Sequence, residues 1–449
     1  MRLEGSDYAA RRAALVAQLT TSGNGAPLRL GKRTSNLFRD RQPGRKRHLD
    51  LSGFNHVLEL NTSAGWVDAE GLTTYEDLVA AILPQGVMPA VVPQLKTITI
   101  GGAAAGVGIE ATSFRQGLVH ETLLELDVLL ASGEVVLCTP DNEHRELFYG
   151  FANSYGTLGY ALRLRQRVLP VKPVVRVEHL QCKEAHDFFR LLGEQCSGTA
   201  DFVDGVVFGP QSFVLNVARF EEQAPWLSDY SFERIYYRSL LERTSDYLTT
   251  SGYLWRWDTD WFWCSKNFGA QHPLVRRLLG RERLNSRTYQ RWMRWNARWG
   301  LTRRLARLRG SHPESVIQDV DIPIEHAQEF LHFLLREIHI LPIWICPLHS
   351  VPGRASFTLY RLDPQRLYVN FGFWDTVNSA RAQEPGHFNR LIEHETMRLG
   401  GIKSLYSDSY FTREEFARAY ALAQYEQLKS TYDPGSRLLN LFDKAVLRA

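Results

Sequence analysis

Hydrophobic and polar positions fall into two stretches of alternating short elements, separated by a proline-marked break. Residues 8–20 (YAARRAALVAQLT) predict a short helix, and the turn-rich TTSGNGAP at 20–27 ends it before an extended piece at 28–30 and the polar loop GKRTSN at 31–36. HVLELN (56–61) and GWVDAEG (65–71) predict a hairpin, and TTYEDLVAAILPQG (73–86) predicts a helix closed by Pro84 and Gly86. A second hairpin is expected in LLELDVLLASGEVVLCTP (123–140), turned at Ser132–Gly133. The first half therefore reads as an α+β domain. VLPVKPVV (168–175) carries Pro170 and Pro173 and marks a boundary. Strands are then expected at 202–209, 212–220, 315–324, 341–348 and 366–374, with helices at 183–194, 325–337 and 383–398. From Ile402 an extended piece precedes a helix that opens with the capping-box pattern T-R-E-E, Thr412 to Glu415.

Composition narrows the function classes. At 449 residues and 44% hydrophobic the chain has material for two or three packed domains. The 53 basic and 49 acidic residues leave +4, too little to make nucleic acid the expected partner. Five cysteines without a CxxC pair suggest neither a disulfide framework nor a zinc site, and favour a reducing compartment. With no signal-peptide core and no run near the ~18 apolar residues of a membrane span, the cytoplasm is the expected location, with peripheral contact to the cytoplasmic face of a membrane left open. The histidines show no HExxH spacing and no GxSxG elbow exists, which sets aside metal and serine hydrolases.

The most informative stretch is PQLKTITIGGAAAGVGIEATSFRQGLVHET (93–122). Gly101, Gly102, Gly106 and Gly108 are expected in a loop free of bulky side chains, where backbone N–H groups converge on an anion such as a pyrophosphate. GKRTSN offers a second such nest. G-V-G-I-E-A (106–111) mimics a dinucleotide-binding fingerprint, but no amphipathic helix follows at once and no first parallel strand precedes it, so a nicotinamide-binding Rossmann unit is rejected. The bland alternative is that these glycines only make tight turns.

On these residues, together with CTPDNEHRELFYGFANSYGTLGYALRLRQRVLP (138–170), the chain resembles the FAD-binding domain of the vanillyl-alcohol oxidase (PCMH) type. Within that superfamily it is most similar to the Δ24-sterol reductases, through GGAAAGVGIEATS (101–113), ELFYGFANSYGTLGY (146–160), DFVDGVVFG (201–209), SVIQDVDIPI (315–324), IHILPIWICP (338–347) and LYSDSYFTREEF (405–416). The resemblance implies a two-subdomain FAD-binding domain over 1–175, an α+β cap domain over 176–400 that covers the flavin, and a segment at 401–449 that returns to the FAD domain. It implies FAD contacts from Thr99, Ile100, Gly101, Gly102, Gly106, Gly108, Ile109, Glu110 and Ser113, from Gly156, Thr157 and Gly159, and from the first loop, Lys32, Arg33, Thr34, Ser35 and Asn36. Many relatives bond their flavin through a histidine or cysteine near the ring; GKRTSN has neither, so the FAD is expected to be non-covalent. The eukaryotic sterol reductases begin with a hydrophobic anchor that this sequence does not show, which leaves a sterol, another isoprenoid or a lipid alkene open as substrate.

Two further features carry candidate chemistry. Residues 251–309 hold seven of the eleven tryptophans, and 276–309 holds twelve arginines against one acid, Glu282. On a helix, Trp292, Trp295 and Trp299 share a face beside Arg291, Arg294 and Arg298, a pattern suited to anionic lipid headgroups, or else to a cap-domain core with a solvated charged face. In KSLYSDSYFTREEF (403–416), Lys403 is a candidate to stabilise reduced flavin, and Tyr406, Asp408 and Tyr410, on one side of an extended stretch, are candidate proton donors. Gln318, Asp319 and His339 are candidate substrate residues in the cap. The expected activity is an FAD-dependent reduction of a carbon–carbon double bond in a lipophilic substrate with NADPH as co-substrate. An FAD oxidase or dehydrogenase of an alcohol or polyprenyl-linked sugar is the enzymatic alternative, and a flavin-binding lipid sensor or carrier the non-enzymatic one.

Overall fold

Strand pairing divides the chain between two main sheets. The structure, a computed structural model, describes residues 7–20, 28–32, 38–39, 47–299 and 310–448. Among them, β1 (Leu28–Gly31) and β2 (Arg47–Asp50) pair in parallel. β3 (Val57–Asn61), β4 (Trp66–Glu70), β6 (Leu123–Leu129), β7 (Val135–Cys138) and β8 (Tyr160–Pro170) form an antiparallel sheet in the order β3-β4-β8-β6-β7, and β5 (Val87–Pro89) pairs with the far end of β8. The chain then crosses to an eight-stranded antiparallel sheet. Its strands are β9 (Val174–Cys182), β10 (Phe202–Gly209), β11 (Ser212–Glu221), β12 (Ser245–Thr249), β13 (His312–Pro323), β14 (Ile343–His349), β15 (Leu367–Ser379) and β16 (Ile402–Lys403), in the order β12-β9-β11-β10-β14-β15-β13-β16. The architecture is α+β, as expected. Both predicted hairpins form, β3–β4 and β6–β7. The expected strands omitted β2, β5, β8, β9 and β12, although YALRLRQRVLP alternates clearly: its arginines lie on one face of β8, where Arg163 meets Asp68 at 2.8 Å, Glu125 at 2.7 Å and Asp127 at 3.1 Å.

Alternation along the second sheet gives its two faces different work. Val203, Phe213, Leu215, Ile345 and Phe371 pack beneath the helices Ala185–Cys196 and Ile324–Phe333 through Phe188, Leu192, Phe330 and Leu331. Their strand neighbours, among them Val206, Val214 and Trp344, join the larger core shared with the first sheet. Register places Asp319 of β13, Gly372 of β15 and Trp344 of β14 in one row across three strands. A side chain at Gly372 would put its Cβ 2.7 Å from both Asp319 Oδ1 and the Trp374 ring, so glycine keeps these groups side by side.

After β16 the chain runs past both sheets. The capping box forms as the T-R-E-E pattern predicts: Thr412 Oγ1 accepts from Glu415 N, and the Glu415 carboxylate accepts from Thr412 N at 2.7 Å. The helix Leu422–Tyr432 packs on Arg145–Gly150 of the first domain, and Lys444 donates to the Tyr155 carbonyl at 2.6 Å.

The first part of the tryptophan- and arginine-rich segment is internal, while most described arginines after it lie at the surface. Trp257, Trp261 and Trp263 are buried, and Trp292 of the helix Ser286–Trp299 lies against Phe268 and Tyr289 with centroids 5.5 and 5.8 Å away. Trp295 stands out, 58% exposed; the Arg298 and Trp299 side chains and residues 300–309 fall outside the described set. Arg276 is buried on Asp260 at 2.5 Å, and Arg277, Arg281 and Arg287 pair with Glu233, Asp229 and Glu76. Of the two described tryptophans on that face, Trp292 thus packs on aromatic neighbours while Trp295 points outward. No described helix is long and apolar enough to cross a membrane. Trp292→Ala should cost about 2 kcal/mol in chemical denaturation, whereas Trp295→Ala should stay within about 0.5 kcal/mol.

Candidate functional site

One cavity of about 410 Å³ lies between the two sheets, and it gathers much of the expected chemistry. Its lower wall begins at Thr99, held by the bridge from Thr74 to Thr99 and by Ile100 N–H donating to the Thr73 carbonyl at 2.9 Å. Residues 100–105 were expected in an open loop; they form a short helix instead, because Thr99 caps it by accepting from Gly102 N at 3.2 Å and the small residues allow close approach. Gly101 N–H meets the Gly71 carbonyl at 2.9 Å, and an added Cβ would fall 2.7 Å from that oxygen. Gly106 and Gly108 follow in irregular backbone, where a Cβ would meet Tyr155 at 3.3 Å or Val119 at 2.6 Å. The floor continues through the 153–159 turn, in which Asn153, Tyr155, Gly156 and Gly159 all have positive φ. Lys32 donates to Thr99 Oγ1 at 3.4 Å, and Arg29, Arg39, His48 and Lys444 also line the cavity.

The cap side is aromatic: Trp261, Phe262, Trp344, Trp374 and Tyr406 line it, with Phe38 from the first domain touching both Trp261 and Tyr406 at centroid distances of 5.7 Å. Trp374 Nε1 donates to the Tyr406 hydroxyl at 2.8 Å, and that hydroxyl lies beside Asp319. Asp319 is the only acid on the described walls. Burial pushes its carboxyl well above the ordinary range and the nearby Asp321 adds to this, while Tyr406 opposes it. Burial likewise raises Tyr406 well above 10 and Tyr155 to about 12, so both phenols hold their protons.

Of the expected cofactor residues, Lys32, Thr99, Gly101, Gly102, Gly106, Gly108, Ile109, Gly156 and Gly159 line the cavity; Arg33, Thr34, Ser35 and Asn36 lie outside the described residues. Four others stand behind that lining. Ile100 is core, and Ser113 turns the backbone by accepting from Glu110 N at 3.1 Å. The Thr157 carbonyl takes a 2.7 Å hydrogen bond from Lys429, and Glu110 turns toward Arg256. Of the expected chemical residues, only Tyr406 and Asp319 reach the cavity. Lys403 is fully buried with its three N–H groups spent on Glu393 Oε1 (2.8 Å), the Asp408 carbonyl (2.5 Å) and Ser409 Oγ (3.0 Å), so it has no donor left for a flavin. Asp408 and Tyr410 share a side of the chain with Tyr406, as alternation suggested, but they face Arg448. Gln318 points to the other face of β13 and bonds Asn389, and His339 is an exposed turn residue at φ 59°. The cavity aromatics Trp344, Trp374 and Phe262 were missed as site residues, since nothing in their local pattern separates them from core.

The walls suit FAD. The lower half offers a trough where side chains would intrude, five basic residues accompany it, and a flat aromatic surface closes the other side. Residues 16–139 match the FAD binding domain family model. The chain is also similar to the Δ24-sterol reductase of Homo sapiens, 25% identical over 418 residues that cover 86% of this chain and 75% of the relative, and to that of Arabidopsis thaliana, 27% identical over 455 residues, 89% and 77%. Cytokinin dehydrogenase 10 of Oryza sativa subsp. japonica is 28% identical over 158 residues, 34% of this chain and 28% of the relative. The chain is an FAD-dependent oxidoreductase. In this oxidoreductase, the glycine trough with Lys32 and Thr99 would hold the cofactor's phosphates, and the aromatic side would face its ring system.

Gly102→Val should purify with little flavin, read as the ratio of absorbance at the flavin and protein bands, because a Cβ there already sits 2.8 Å from Thr99 Oγ1 and 3.4 Å from Lys32 Nζ. Lys403→Met should retain its flavin but lose about 3–5 kcal/mol of stability, the usual consequence of leaving a buried partner charge, here Glu393, unpaired. Glu110 is pushed from its ordinary 4.5 up to about 7 by burial, against the pull of Arg256. The folded chain therefore keeps a proton there that the unfolded chain releases. Stability from this group is full below pH 4.5 and is lost as pH rises toward 7, so Glu110→Gln should flatten that part of the Tm profile relative to the parent.

Proposed function

We propose that this oxidoreductase reduces a carbon–carbon double bond in a lipophilic substrate, using NADPH as hydride donor and FAD held non-covalently. When bound, FAD supplies a two-electron carrier between the two partners. The observation that carries the reading is Asp319: a half-buried carboxyl whose Oδ1 is shielded from solvent without a hydrogen-bond partner, and whose hold on its proton is strengthened by burial, beside Tyr406 on an aromatic wall. Such a group donates a proton, whereas oxidation of an alcohol calls for a base that removes one. In the reduction, hydride is delivered to one alkene carbon and a proton to the other, and NADPH leaves as NADP⁺. Asp319, or Tyr406 acting with it, supplies the proton; Trp374 Nε1 fixes the Tyr406 oxygen; and Trp261, Phe262 and Trp344 exclude water and accept apolar surface. The names of the human and Arabidopsis relatives support the same direction.

Under anaerobic conditions NADPH should bleach the bound flavin, and a lipid alkene, either a sterol with a side-chain double bond or a linear isoprenoid, should restore its colour. Asp319→Asn and Tyr406→Phe should keep their FAD and slow the second half-reaction by about 10²–10⁴-fold. Bleaching by an alcohol but not by NADPH replaces the reductase with the oxidase. Acid precipitation should release all the flavin; yellow colour retained in the pellet would overturn the non-covalent reading and make His48, which lines the cavity, the first residue to map.

A further inference from the structure

Arg256 is fully buried at a junction that neither the cradle nor the proton donors explain. Its guanidinium lies 3.8 Å over the Tyr253 ring, and Nη1 donates to the Tyr253 carbonyl at 2.9 Å. Nη2 donates to two carboxylates, Asp204 Oδ2 at 2.8 Å and Glu110 Oε1 at 3.2 Å. Glu110 directly follows Ile109, a cavity residue of the cofactor-binding domain. Asp204 belongs to β10, and the same Oδ2 accepts the indole N–H of Trp344, another cavity residue, at 3.2 Å. Asp204 Oδ1 takes Asn216 Nδ2 at 2.9 Å, and Asn216 Oδ1 meets His179 Nδ1 at 2.8 Å, so the carboxylate cannot swing away.

The arginine's own segment forms the rest of the aromatic wall. Five and six residues on, Trp261 and Phe262 have φ of 45° and 60°, two consecutive non-glycine residues in the left-handed region. Each such residue costs about 1–3 kcal/mol and persists only where its surroundings over-determine it. Asp258 accepts from Lys96 N at 3.0 Å and Ser286 Oγ at 2.5 Å, and Asp260 accepts from Ser265 Oγ at 2.8 Å and holds Arg276. Arg256 secures the leading end of this turn.

We propose that Arg256 is a positioning residue for the flavin reaction: by gripping Glu110 and Asp204 together, it sets Trp344 and the Trp261–Phe262 turn at a fixed height over the cofactor trough. Nη2 meets both carboxylates while Nη1 holds the Tyr253 carbonyl and the plane lies over the Tyr253 ring; a lysine in its place keeps the charge and loses the second nitrogen and the planar contact. A residue that merely staples the fold would affect stability alone. The inference rests on FAD occupying the cavity and, for its catalytic consequence, on the reductase reading.

The test compares Arg256→Lys, Glu110→Gln and Trp344→Phe, all in the full chain. The readouts are the FAD dissociation constant of the apoprotein, the visible circular dichroism of the bound flavin, and kcat and KM with NADPH and a lipid alkene. Positioning predicts a changed dichroism band and an FAD dissociation constant raised about tenfold, or 1.4 kcal/mol, in Arg256→Lys. It also predicts a raised alkene KM in the same variant, and an effect of Trp344→Phe that is not additive with Glu110→Gln. Lowered Tm with parental dichroism and FAD affinity in both Arg256→Lys and Glu110→Gln would overturn the proposal. If Arg256→Lys does not fold, Glu110→Gln and Trp344→Phe decide through the same two spectroscopic readouts, with additivity as the overturning result. Altered dichroism in an enzyme whose parent reduces no alkene would refute the reductase reading and leave the positioning role standing.

Discussion

Successive side chains on a strand must face opposite ways, and the cap sheet turns that rule into a site. One face is mostly apolar under its helices, with Val203, Leu215 and Phe371 packed against Phe330, while the other carries Asp204 and Asn370 in the interior and Asp319, Trp344 and Trp374 onto the cavity. The polar groups on the second face lie in the interior with little water, so each must be paired or neutral. Asp321 takes Asn370 Nδ2 and the Tyr360 hydroxyl, both at 2.7 Å; Asp204 takes Arg256; Asp319 keeps its proton. The chemistry of the site is thus a by-product of how the sheet resolves its buried acids.

The same rule marks the boundary of what sequence reading could reach. Hairpins, the Thr412 cap and the glycine-rich cofactor segment were legible because their signals are local: turn residues, a four-residue spacing, missing side chains. Gln318 and Asp319 were legible only as a polar interruption in an apolar strand, and choosing between them needed the register against Gly372, which is set by β15 more than fifty residues away. Lys403 looked like a cation for the flavin; its saturation by Glu393 depends on the helix His387–Arg398, and no spacing in KSLYSDSYF reveals it. For 251–309 the composition is unusual, but tryptophans serve membranes and cores alike, and the acids that pair with Arg276, Arg277, Arg281 and Arg287, namely Asp260, Glu233, Asp229 and Glu76, are scattered over the chain.

Strain and close approach are concentrated on the cavity's two sides in different ways. Below, glycine removes the problem: Gly101 against Gly71, and Gly156 and Gly159 at positive φ, allow backbone where side chains would clash. Above, bulky residues accept the same unfavourable conformation at Trp261 and Phe262, because the site needs their rings. Rigid aromatic surface is obtained at a conformational cost that buried carboxylates offset.

The segment after β16 carries an implication for how the molecule is made. Tyr406 sits on the cap side of the cavity, Ser404 Oγ meets the Tyr155 hydroxyl at 3.0 Å, and Lys429 and Lys444 clamp the 153–159 turn from the far side. These groups follow every other wall of the cavity in chain order. On a ribosome, where domains fold as they emerge, the glycine trough and both sheets can assemble while the site still lacks one wall and the clamp on its floor. Tight cofactor capture is therefore expected to come late in biosynthesis, after residue 444 has left the exit tunnel, and a nascent chain stalled before that point would present an open, aromatic-lined cleft to chaperones rather than to FAD.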